Sequence, residues 1–169
     1  MRSKDVKKRS QIRERYGAKQ IGGKPHAGSG NTWSRKADFS NTLYLIEDKF
    51  TDCDYYVVAE SVLKKVEKEA QRIGKTPALR VGFERFGKNF IIIKKKYWHD
   101  AQNTIHIKHH KTNVRPSKSM KLYVEDLTKL YQDCLDQLFF LSVVINNEVY
   151  CVGDWDSAAE KILEQQETI

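Results

Sequence analysis

The sequence predicts an α/β fold built on a mixed β-sheet flanked by helices, and three observations carry that prediction. The apolar pattern switches between strand-like and helix-like spacing in the order helix, loop, strand, strand, helix, strand, strand over the first 96 residues. Residues 43–50, LYLIEDKF, are apolar on both faces until Glu47, as in a buried central strand. A chain of 169 residues with 40% apolar and 31% charged side chains suits one hydrophobic core and leaves little room for two.

Residues 1–16 form a charged stretch whose only large apolar side chains are Val6, Ile12 and Tyr16. The spacing allows a helix that depends on docking for its stability. Residues 17–30, GAKQIGGKPHAGSG, hold five of the nine glycines and predict a loop. Residues 36–39 and 43–50 read as two strands joined by the polar pair Ser40 and Asn41, with Thr42 leading into the second. From residue 56 to 73 the spacing is helical, with Val58, Val62, Val66 and Ala70 at i+4. Gly74 fits the C-cap, and Pro77 follows shortly after.

Residues 79–83 and 89–93 predict an antiparallel pair turning near Phe86, Gly87 and Lys88. Residues 97–122 are polar and basic and read as a long loop or insertion. A helix is expected over 124–138, with Leu127, Leu130, Tyr131, Cys134, Leu135 and Leu138 on one stripe. Residues 139–145 and 148–152 predict a hairpin around Asn146 and Asn147, and 157–164 a last short helix. The expected organisation is a core over 1–96, a basic insertion over 97–122, and an acidic C-terminal α+β extension over 123–169 packed on the same domain.

Thirty Lys and Arg against 22 Asp and Glu give a formal net charge of +8. Residues 1–36 carry +9, residues 37–122 carry +7 and residues 123–169 carry −8. A polyanion therefore suits the first two thirds better than a small acidic metabolite. No apolar run approaches the ~18–20 residues that cross a bilayer, and the basic N-terminus has no apolar segment behind it, so neither a membrane nor a secretory signal is expected. Three cysteines without a Cys-x-x-Cys pair argue for a reducing, cytoplasmic setting and against a zinc ribbon.

The chemistry concentrates at Asp38, Glu47 and Lys49. Strand residues two apart share a face, so Glu47 and Lys49 point one way and Asp48 the other. Asp38, at the end of the neighbouring strand, can bring its carboxylate beside Glu47. Two close carboxylates need a cation between them, and hard oxygen donors suit Mg²⁺ or Mn²⁺. A lysine beside that ion can orient or deprotonate water or offset charge on a phosphate. On residue types alone, Glu-x-Lys is also an ordinary solvated pair. The charges close a strongly apolar strand, where they are costly without a purpose. The glycine-rich loop does not make a P-loop, because Ala18 and Pro25 replace its first glycine and its hydroxyl residue, so no nucleotide cofactor is expected. His106, His109 and His110 lack cysteine or carboxylate partners at zinc spacing.

The strings GSGNTWSRKADF, LIEDKF and SVLKKVEKEAQRIGKTPAL resemble the PD-(D/E)xK nuclease superfamily and, within it, archaeal-type and phage Holliday junction resolvases. The resemblance covers about residues 9–93. It implies a restriction-endonuclease-like sheet, Asp38 and Glu47 as metal ligands, Lys49 as the catalytic lysine, Glu14 as the helix glutamate that joins the site, and Ser29 as a loop serine needed for cleavage. Ala37 stands where the nominal motif has proline. Asp48 is the alternative ligand, but Phe50 would then occupy the lysine position. The implied activity is Mg²⁺-dependent resolution of branched DNA by a homodimer, since two opposed strands are cut. A duplex-cutting restriction or repair nuclease and an inactive DNA-binding derivative are the rivals. Arg13, Lys24, Arg35, Lys36, Lys64 and Lys68 are the candidate phosphate contacts.

Overall fold

The computed structural model describes residues 2–26, 37–98 and 117–169. Ser29, Arg35, Lys36, His99, His106, His109 and His110 lie outside the described residues, and so do the expectations placed on them. Helix α1 spans Arg2–Gln20, followed by short strands β1 (Lys24–Pro25) and β2 (Phe39–Ser40), the long strand β3 (Tyr44–Thr51), and β4 (Tyr55–Ala59). Helix α2 (Glu60–Arg72), β5 (Thr76–Phe83) and β6 (Lys88–Lys94) follow. From residue 117 onward come β7 (Ser119–Tyr123), α3 (Val124–Asp133), β8 (Phe139–Ile145), β9 (Glu148–Asp154) and α4 (Trp155–Glu167).

The main sheet is mixed, in the order β1-β2-β3-β5-β6-β9-β8, with β3 and β5 parallel and the other pairs antiparallel. The parallel pair requires a crossover, and α2 supplies it on one face. That face is covered by α2, α3 and a separate antiparallel ribbon of β4 with β7, packed on Leu79, Val81, Phe90, Phe140 and Val152. Helices α1 and α4 cover the other face through Ala18, Trp155, Ala158 and Ile162, together with Ile21 just beyond α1. Each fully buried large apolar side chain contributes about 1.5–3 kcal/mol, so both layers are needed to hold the sheet. Among the described residues no helix is long and apolar enough to cross a membrane.

Several boundaries differ from the sequence expectation for identifiable reasons. Helix α1 runs on through Gly17 to Gln20, and it does not dock by Val6, Ile12 and Tyr16, which are 49–59% exposed. It docks by buried Ala18, by the ion pairs of Arg9 and Arg13, and by a close approach at Gly17, where a Cβ would lie 2.7 Å from the Phe39 ring. Residues 55–59 form a strand instead of the first turns of a helix, because β7 offers a backbone partner. Part of the expected 97–122 loop is therefore a strand. Strand β2 covers only Phe39–Ser40, although Asp38 still donates its N–H to the Ile46 carbonyl at 3.1 Å. Helix α3 stops at Asp133, leaving Leu135 66% exposed and Leu138 against the opposite core layer. Helix α4 starts two residues early, where the Asp154 carboxylate accepts the Ser157 N–H at 2.9 Å.

Other local expectations hold. Asn146 and Asn147 both take positive φ in the β8–β9 turn, as a two-residue hairpin requires. Gly74 takes φ 67° directly after α2, and Lys75 donates its N–H to the Ala70 carbonyl at 2.9 Å. The C-terminal hairpin is part of the main sheet itself, with β9 paired to β6 from Phe90↔Asp154 to Lys94↔Tyr150.

Candidate active site

Strand β3 places the charged groups by simple alternation. Tyr44 and Ile46 face α1 and α4, and Leu45 packs with Val66 and Ala70 of α2. Glu47 and Lys49 therefore follow Leu45 to the α2 face, and Asp48 follows Ile46 to the α1 face. The β2–β3 register pairs Phe39 with Ile46, and its continuation brings Asp38 opposite Glu47. Asp38 Oδ2 accepts the Asp48 N–H at 2.7 Å, which fixes its carboxylate against β3.

Asp38, Glu47 and Glu14 are all buried, at 8%, 4% and 8% exposure. Lys49 Nζ is 2.7 Å from Glu47 Oε1, and Lys65 Nζ of α2 reaches the same oxygen at 3.7 Å. Glu47 Oε2 is buried without a hydrogen-bond partner among the described residues. The Ser10 hydroxyl donates to Glu14 Oε1 at 2.7 Å, which turns the Glu14 carboxylate on α1.

The electrostatics follow from this crowding. Burial, then the charges of Glu47 and Glu14, push the Asp38 carboxyl up to about 7, against the opposing Asp48 N–H and Lys49. Burial also raises Glu14; the Ser10 hydroxyl opposes it, and the charges of Asp48 and Glu47 add to it. For Lys49 burial disfavours the ammonium, but the hydrogen bond to Glu47 and the charges of Glu47 and Asp38 outweigh it and raise its pKa. Burial raises the Tyr56 hydroxyl of β4, which also feels Lys49 and Glu47.

Asp38 makes the stability of the metal-free protein pH-dependent. Its folded pKa lies above the ordinary ~3.9, so the unfolded chain loses the proton first, and stability falls as pH rises from about 4 to 7. Asp38→Asn is expected to be more stable than the unsubstituted protein at pH 8 by on the order of 2 kcal/mol, with the gap closing near pH 4. Urea unfolding at the two pH values checks this; a gap independent of pH would locate the strain elsewhere.

The Asp48 carboxylate is already paired on the α1 face of β3. Arg13 Nε and Nη2 donate to its two oxygens, each at 2.9 Å, and Arg80 Nη1 lies 3.5 Å from Oδ1. This corrects the expectation for Arg13. Its side chain is 9% exposed and spent on Asp48 and Glu84, so it is not a surface phosphate contact. Lys24 and Lys68 are exposed as expected. Lys64 is exposed as well, but it is paired with Glu60 one turn back on α2.

Two residues were missed by the sequence reading. Lys65 carries a signal in hindsight, since it adjoins Val66 of the apolar stripe that faces β3. Tyr56 carries none, because a helical reading of residue 56 points it elsewhere.

Among the described residues no three His, Cys, Asp or Glu side chains form a ready-made metal cage. The donors that are present fit a hard divalent cation. Among the described residues one buried Glu47 oxygen has no hydrogen-bond partner, and Asp38 beside it is held above its ordinary pKa by burial and then by the charge of Glu47, so a cation there would relieve both costs. Comparison with protein-family models, curated proteins and solved structures finds no match to this chain.

Proposed function

We propose that the protein is a metal-dependent, structure-specific DNA endonuclease of the PD-(D/E)xK type that hydrolyses phosphodiesters in branched DNA such as Holliday junctions. The observation that carries the reading is the convergence of Asp38, directly before β2, with Glu47 and Lys49 on one face of β3. One carboxylate is pinned by a backbone N–H, the other has an orphaned buried oxygen, and the lysine lies 2.7 Å away on the same face. The charge of +9 and +7 on the two segments that contain these residues supports a nucleic acid as the partner.

Asp38 and Glu47 would hold Mg²⁺, or Mn²⁺ in its place. When bound, the cation supplies compensation for the negative charge that builds on the phosphate during attack. The carboxylates of Glu47 and Asp38 raise the pKa of Lys49, so in the metal-free site it is an ammonium, placed to donate a hydrogen bond to a phosphate oxygen or to orient the attacking water. Glu14 adds a third negative charge to the same cluster, held in place by Ser10. Lys24 and Lys68 are the described candidates for backbone contacts away from the cut.

Cleavage of labelled four-way, flap and linear DNA with and without Mg²⁺ tests the proposal. Mg²⁺-dependent cutting of the four-way substrate is expected. Equal cutting of matched linear duplex would transfer the reading to a duplex nuclease, and no cutting of any substrate with Mg²⁺ or Mn²⁺ would overturn it. Two opposed cuts call for a homodimer, and a species that sediments as a monomer while resolving junctions fully would overturn that part.

A further inference from the structure

We infer that Lys65, together with Lys49, is a built-in counter-ion of Glu47 that a divalent cation must displace and a DNA phosphate can recruit, so that cation and DNA bind cooperatively. The inference rests on the nuclease reading of Asp38, Glu47 and Lys49. It goes beyond that reading by assigning a positioning role to a residue of α2 and a linkage between two ligands.

Both lysines converge on one oxygen. Lys49 Nζ is 2.7 Å from Glu47 Oε1 and Lys65 Nζ is 3.7 Å from it, while Glu47 Oε2 has no hydrogen-bond partner among the described residues. Glu47 is buried at 4% exposure, so its charge is costly unless a cation is near. Lys65 differs from Lys49 in its placement. It is carried by α2, which packs on β3 through Val66 and Ala70, and its side chain is half exposed. It can therefore leave Glu47 for a phosphate at the surface without unfolding anything.

Two positive side chains on a carboxylate compete with a divalent cation for the same charge. A phosphate backbone that draws Lys65 away removes part of that competition. By reciprocity, whatever factor DNA gains for the cation, the cation gains for DNA. Lys68, one turn further along α2 from Lys65, extends the same basic side toward the backbone.

The test is calorimetric titration of Ca²⁺, a hard cation that takes the same oxygen donors, into the whole protein. Lys65→Gln is expected to bind Ca²⁺ about three- to fivefold more tightly than the unsubstituted protein, the scale of one partly exposed ion pair. Lys65→Arg, which keeps the charge, and Lys161→Gln, which removes a distant charge on α4, are expected to match the unsubstituted protein. A labelled four-way junction added beforehand is expected to raise Ca²⁺ affinity in the unsubstituted protein and to raise it less in Lys65→Gln. Equal Ca²⁺ affinity in Lys65→Gln and the unsubstituted protein overturns the inference and leaves the active-site reading standing. Absence of any Ca²⁺ binding that Glu47→Gln abolishes overturns the active-site reading and this inference with it.

Discussion

Lys49→Ala is expected to lower cleavage of a four-way junction by at least about 10²–10³-fold at saturating Mg²⁺, while junction binding stays within a few-fold of the unsubstituted protein. Lys49 Nζ is 2.7 Å from Glu47 Oε1, closer than Lys65 at 3.7 Å, and it is only partly buried, so a substrate can reach it. In the proposed nuclease its charge would meet the substrate where negative charge grows. Binding in the proposed reading would draw on many phosphate contacts, each adding a salt slope of about −0.9, so one lysine fewer would change it little. Glu47→Ala is expected to fall as far for a different reason, since it removes the buried oxygen left for a cation. Single-turnover cleavage and fluorescence anisotropy on the same substrate separate the two effects. Cleavage at the unsubstituted rate by either variant would falsify the site assignment.

Arg13→Met is expected to cost about 3–5 kcal/mol of stability, the scale for removing one partner of a buried ion pair. Its guanidinium makes two 2.9 Å hydrogen bonds to Asp48, one of 2.7 Å to Glu84 and one of 3.1 Å to Asn89, and Asp48 is left in the core when it goes. Arg80 remains 3.5 Å from Asp48, which places the expected loss toward the lower end of that range. The chain has also made room for this group: a Cβ on Gly82 would lie 2.3 Å from Arg13 Nη1, so Gly82→Ala disturbs the same network. Urea unfolding measures the loss. The salt dependence of DNA binding is expected to stay unchanged in a folded Arg13→Met protein; a slope reduced by about 1 with stability intact would return Arg13 to the DNA interface.

These two residues show where sequence reasoning reaches. Lys49 was legible because strand alternation is a local rule: once residues 43–50 are a strand, Glu47 and Lys49 must share a face. Asp38 needed one more step, the antiparallel neighbour, and that neighbour lies only a few residues away. Arg13 looked like any arginine of a basic helix. Its partners Asp48, Glu84 and Asn89 are 35, 71 and 76 residues distant, and nothing local announces them. The same holds for Tyr55–Ala59, where Val58 continues the i+4 series of Val62 and Val66 and fits a helix until a strand some 60 residues later offers hydrogen bonds.

By itself the sequence determined the α/β class, the mixed character of the sheet, the Gly74 cap, the Asn146-Asn147 turn and the pairing of Glu47 with Lys49 on one strand face. Each depends on backbone dihedrals or on a period of 2 or 3.6 residues, which a short window contains. Only the tertiary structure decided that the acidic C-terminal hairpin extends the main sheet beside β6, that Arg13 is buried against Asp48, and that Lys65 reaches Glu47. Those contacts join residues far apart in the chain, and their free energy comes from burial and charge pairing that exist only once the layers are packed.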